Sequence, residues 1–144
     1  MTTAAAIYGT YFHGPAYQVL EGAWQVGGRV AGRFAKALPA NHEPADRPTL
    51  ASPRLVELAF QTAGLAEIAS TEQMGLPHGF DKLELLRPGN GEVESAALVQ
   101  SAGEGVFDVD VADVDGRVVL SLKGYRTSTL PGKVSGEAFG ILKG

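Results

Sequence analysis

The chain has no cysteine among its 144 residues. That excludes disulfides, thiol nucleophiles and cysteine–zinc sites. Histidine is scarce, with only His13, His42 and His78. None falls in an HxH or HExxH spacing, so a metal centre would have to lean on carboxylates, and none is expected. Basic residues do not dominate: 12 Lys and Arg face 16 Asp and Glu, for a formal charge of −4. A face basic enough for nonspecific nucleic-acid binding is therefore not expected. No apolar run has the length of a membrane span. The opening Met1-Thr2-Thr3-Ala4-Ala5-Ala6 lacks the basic and long apolar regions of a secretory leader. These absences point to a cytoplasmic protein with no nucleic-acid or membrane partner.

What is present is an ordinary globular composition, 44% hydrophobic and 19% charged, at a length that suits one domain. Gly and Pro cut it into short segments. Tyr17–Val26 reads as a strand, Gly27-Gly28 as a tight hairpin turn, and Arg29–Ala35 as the alternating return strand. Leu38–Leu50 carries prolines, Asn, His and Asp, and reads as a loop. Gly75–Gly79 reads as a turn and Phe80–Leu86 as a strand. Pro88-Gly89-Asn90-Gly91 reads as a type I′ turn, followed by strands over Glu92–Gln100, Val106–Ala112 and Arg117–Arg126, with Asp115-Gly116 as the last hairpin. Residues 131–144 turn small and polar and read as a tail or linker.

Between the two groups of strands lies one long helix. Ser52 suits an N-cap and Pro53 a first helical residue. The segment to about Ala69 is apolar almost all round, which marks a buried helix. Gly64 inside it is either tolerated or a point of close approach. Glu57 interrupts the apolar run and Gln61 follows one turn later, so carboxylate and amide share a face. Glu57 is then either at the mouth of a pocket or on a thin solvated edge near the helix start. Two strands, a helix and four strands in hairpins give an α+β layer arrangement.

Two motifs carry a family resemblance. Tyr11-Phe12-His13-Gly14-Pro15-Ala16-Tyr17, followed by the helix with Glu57-Leu58-Ala59-Phe60-Gln61, resembles the C-terminal half of polyketide synthase dehydratase domains. Leu76-Pro77-His78-Gly79 before Leu83-Glu84-Leu85 is similar to that family's Leu-Pro loop and next strand. Asp113-Val114-Asp115-Gly116 is similar to its closing turn. The resemblance covers residues 8–127. It implies a hot dog fold, an antiparallel curled sheet wrapped around one central helix, as a single unit over residues 1–130. The family joins two such units, with a catalytic histidine in the first and an aspartic acid in the second. By that resemblance Glu57 stands at the acid position and Gln61 at its partner position. Tyr11, His13, Gly14, Pro15 and Tyr17 line the pocket, with Pro77 and His78 beside it.

Two departures from the family pattern stand out. Glutamate replaces aspartate at 57. The His-x-x-x-Gly-x-x-x-x-Pro signature of the first half is absent, since none of the three histidines has glycine four residues on. The resemblance implies dehydration of 3-hydroxyacyl thioesters carried on the phosphopantetheine of an acyl carrier protein or on CoA, with no cofactor of the protein's own. As the acid Glu57 has to be neutral; burial favours that form, the nearby helix N-terminus favours the anion, and the sequence leaves the balance open, with Gln61 placed to orient the carboxyl. His13 is either the base, with a second copy completing the site, or a packed residue in a Gly-Pro turn. The expected partner is a second copy or a His-bearing hot dog unit. Arg29 and Arg33 either meet an acidic carrier or are solvated charges. Two other readings stay open: an acyl thioesterase, and a non-catalytic acyl-binding or dimerisation module.

Overall fold

The computed structural model describes all residues except 88–91, 135 and 144; the turn expected at 88–91 lies outside the described residues. The chain begins with a two-residue strand β1 (Thr2–Thr3) and a short helix α1 (Ala4–Tyr8). Thr3 caps α1, with the Ala6 amide donating to Oγ1 at 3.4 Å. Pro15–Tyr17 forms one 3₁₀ turn, closed by Tyr17 N donating to Gly14 O at 2.9 Å. Strand β2 (Leu20–Val26) therefore starts three residues later than expected, because Pro15 presets a turn rather than an extended backbone. Gly27 and Gly28, at φ 55° and 75°, make the hairpin to β3 (Arg29–Phe34) with the left-handed geometry that a side chain would penalise.

Helix α2 (Pro53–Thr71) is the long central helix. Its amides at Leu55 and Val56 donate to the Ser52 carbonyl, and it ends where Glu72 turns left-handed at φ 58°. The remaining strands are β4 (Gly75–Gly79), β5 (Lys82–Leu85), β6 (Ser95–Gly103), β7 (Val106–Asp113) and β8 (Val118–Thr129). All pairings are antiparallel, in the order β1-β2-β3-β6-β7-β8-β4, with β5 also on β8. This one sheet around one main helix is the α+β hot dog arrangement expected.

The segment Gly75–Gly79 is a correction. It was expected as a turn and is strand β4, paired with Arg126–Thr129 at the sheet edge. Pro77 is compatible with a strand there because its missing N–H costs no ladder bond on the outer side. Strand β6 also begins at Ser95, not Glu92.

Leu58, Leu65 and Ile68 of α2 are buried, as are Val99, Val111 and Leu122 on the strands it packs against. Each such side chain contributes about 1.5–3 kcal/mol on burial. Gly32 lets the helix seat closely on β3: a Cβ there would lie 2.4 Å from Thr62 Oγ1. The last stretch, expected as a tail, ends in a short helix α3 (Glu137–Gly140) whose Phe139, with Leu142 beyond it, is buried in the same core. The Thr2 hydroxyl donates to Ala138 O at 2.5 Å and ties that stretch to β1.

Candidate functional site

The N-terminal half of α2 points Glu57 and Gln61 toward the loop that follows α1. Gln61 is held on every polar atom. Its Nε2 donates to Glu57 Oε2 at 3.0 Å and to the Tyr17 carbonyl at 2.9 Å, and its Oε1 accepts from the Tyr8 hydroxyl at 2.7 Å. Tyr8 in turn accepts from the Leu20 amide at 2.7 Å. Donor and acceptor ends of the amide are thus fixed by their partners. With both N–H bonds spent on the protein, Gln61 orients the carboxylate and has no donor left for a ligand.

His13 Nε2 lies 3.5 Å from the same Oε2 of Glu57, and both side chains are 28% exposed. The imidazole stacks under Phe12 and meets the edge of Tyr11. Its Nδ1 is buried without a partner among the described residues, whereas Nε2 faces the carboxylate. The Gln18 amide donates to the His13 carbonyl at 3.1 Å and fixes the loop.

Burial pushes the Glu57 carboxyl up. Hydrogen bonds from His13 and Gln61, with the His13 charge, outweigh it and leave the group below the ordinary glutamate value. The balance that the sequence leaves open thus falls toward the anion: two donors aimed at one oxygen favour it more than partial burial opposes it.

These groups stand at the mouth of a cavity of about 230 Å³. Tyr11, His13, Glu57 and Gln61 line it on one side, and Phe60, Met74, Leu76, Pro77 and Tyr125 supply apolar wall. Gly64 lines it too, and the Tyr11 hydroxyl would sit 2.5 Å from a Cβ at that position. Gly64 is therefore a point of close approach, by Tyr11, which donates to Gln61 O at 2.9 Å. Gly64→Ala sets a helix gain of about 1 kcal/mol against a displaced Tyr11. The expected result is a net loss of stability of about 1 kcal/mol by urea unfolding, together with weaker acyl binding.

Other expected site residues are placed differently. Gly14 and Pro15 build the 3₁₀ turn and do not line the cavity. The Tyr17 hydroxyl accepts from Asn41 at 3.3 Å, so only its carbonyl serves the site. His78 faces Ser128 Oγ at 3.2 Å on the exposed sheet edge, away from Glu57. His42 is engaged by Asn41 and the Arg47 carbonyl. Arg33 pairs with Glu21 and stacks over Trp24. Sequence reasoning passed over Tyr8 and Tyr125. Neither has a local signal pointing to the site: Tyr8 closes a short alanine run, and Tyr125 shows only strand alternation. Among the described residues no group of three His, Asp or Glu could hold a metal ion. No helix among them is long and apolar enough to cross a membrane.

A family model described as the polyketide synthase dehydratase N-terminal domain matches residues 7–137. That description names an N-terminal domain, so the match does not confirm the C-terminal half expected from the motifs. No curated protein matches. Among solved structures, the dehydratase domain from the CurF module of curacin polyketide synthase aligns at TM-score 0.72 and 24% identity, over 88% of this chain and 47% of that one. A trans-AT dehydratase domain from Brevibacillus brevis aligns at TM-score 0.70 and 21% identity, over 89% and 48%. A dehydratase of the borrelidin and fluvirucin polyketide synthases aligns at TM-score 0.63 and 27% identity, over 83% and 41%. The chain thus spans about half the length of the solved dehydratases it matches.

Proposed function

Because the chain belongs to the polyketide synthase dehydratase family, we propose that it eliminates water from a 3-hydroxyacyl thioester borne on an acyl carrier protein or CoA, and that Glu57 makes both proton transfers. The observation that carries this is the Glu57 carboxyl held by Gln61 and His13, which favour its anion, at the mouth of an apolar cavity. The carboxylate takes the proton from C2 of the acyl chain. The resulting carboxylic acid gives that proton to the hydroxyl leaving C3. The C2–H electron pair becomes the double bond, water departs, and Glu57 returns to its starting state. His13 and Gln61 position the carboxylate and stabilise its charge between turnovers. The missing first-half histidine is then not required for proton balance.

The Tyr11–Tyr17 motif and the Glu57–Gln61 helix support reading this unit as the counterpart of a second hot dog half. A second copy or another hot dog unit is the proposed partner, and the exposed Phe12 and Phe80 suit such a contact. One group serving as base and acid acts on one face of the substrate, so the elimination is syn. Incubation with 3-hydroxybutyryl-pantetheine carrying deuterium at one C2 position tests this by mass spectrometry. Water is expected to leave with deuterium only from the position syn to the hydroxyl; anti loss would overturn the single-carboxylate scheme. The ionised, partly solvent-open Glu57 favours one second reading, activation of water against the thioester, for which free thiol would appear without dehydration.

A further inference from the structure

Tyr125 on β8 is 2% exposed and lines the same cavity. Its ring stacks on Phe60, with centroids 4.8 Å apart and planes at 11°. Its hydroxyl has no hydrogen-bond partner among the described residues, yet it is not among the polar atoms sealed from solvent. It therefore opens onto the cavity. The neighbouring polar groups are already committed. The Tyr11 hydroxyl donates to Gln61 O, and the buried Glu67 carboxyl accepts from the Thr127 hydroxyl at 2.7 and 2.8 Å. Both Glu57 and Glu67 lie within electrostatic reach of Tyr125, and both disfavour its ionisation. Burial keeps that hydroxyl protonated far above neutral pH, so it remains a donor.

We propose that the Tyr125 hydroxyl selects the acyl chain by donating a hydrogen bond to an oxygen the chain carries beyond C3. The inference rests on the acyl-binding reading of this cavity and adds to it a substrate class, oxygenated chains over plain alkyl ones. A buried donor left without an acceptor is costly, and an alkyl chain filling the cavity would displace any water that satisfies it. An oxo or hydroxyl group at that depth restores the bond.

The test uses two probes that cannot be dehydrated, hexanoyl-pantetheine amide and its 5-oxo counterpart, titrated calorimetrically into the chain and into Tyr125→Phe. The variant keeps the stacked ring, and an unchanged melting temperature would confirm that it folds. The unmodified chain is expected to bind the 5-oxo probe about tenfold more tightly. Tyr125→Phe is expected to bind the two within about twofold of each other, through loss of affinity for the oxo probe and relief of the unsatisfied donor under the hexanoyl probe. A preference that persists in Tyr125→Phe, or none in the unmodified chain, overturns this inference and leaves the proposed function standing. Failure of both probes to bind the unmodified chain overturns the inference and the acyl-binding reading together.

Discussion

Glu57→Gln is expected to reduce dehydration by about a thousandfold while leaving the fold intact, within the range that a general acid–base group supplies. The amide keeps the shape and can still accept from Gln61 Nε2, but it can neither take nor return a proton. Circular dichroism and a melting curve should overlay those of the unmodified chain. Undiminished turnover in the folded variant would refute the role of Glu57. The pH profile carries further information. Because the Glu57 pKa is lowered, the base form persists through the neutral range, and kcat/KM falls on the acid side only below the ordinary glutamate value of about 4.3. His13→Ala removes one of the donors that lower it, so the acid limb should move up in pH. If His13 were instead the base, that variant would lose activity at every pH with no such displacement. Glu57→Asp draws the carboxyl back by one methylene from Gln61 and His13, and a misplacement near 1 Å costs about a hundredfold.

The parts of this molecule that were legible in the sequence are those whose signals are local. Ser52-Pro53 and an apolar run marked α2, and glycine pairs or Asp-Gly marked the hairpins after β2 and β7. Glu57 and Gln61 were found because helical spacing alone places them on one face. What escaped depends on partners distant in sequence. Strand β4 was hidden by Gly75 and Pro77, which look like punctuation until β8 supplies the edge where they fit. Tyr8 reaches Gln61 across 53 positions, and nothing near it announces that contact. The charge state of Glu57 stays open in the sequence for the same reason: burial can be guessed from surrounding apolar residues, but the His13 donor arrives from a separate loop.

Glu67 poses the same kind of long-range question, and its answer bears on stability. It is 6% exposed, with Thr127 as its side-chain hydrogen-bond donor and no ion pair among the described residues. Strand β4 passes directly over the pair at Gly75, where a Cβ would fall 2.3 Å from Thr127 Oγ1 and 2.7 Å from Glu67 Oε2. No room is evident there for a substitute donor. Thr127→Val keeps the volume, removes the hydroxyl and leaves a buried carboxyl group without a donor, at an expected cost of about 2–3 kcal/mol in urea unfolding. Glu67→Gln retains an acceptor for Thr127 and should cost less than about 1 kcal/mol. Removing both polar groups together, in Thr127→Val with Glu67→Leu, eliminates the unsatisfied atom. The double variant should therefore be more stable than Thr127→Val alone, and that positive coupling distinguishes a desolvated polar pair from simple packing. If the two single costs merely added, the hydroxyl would be contributing volume and not a hydrogen bond, and the carboxyl would be reaching another donor once β4 moved aside.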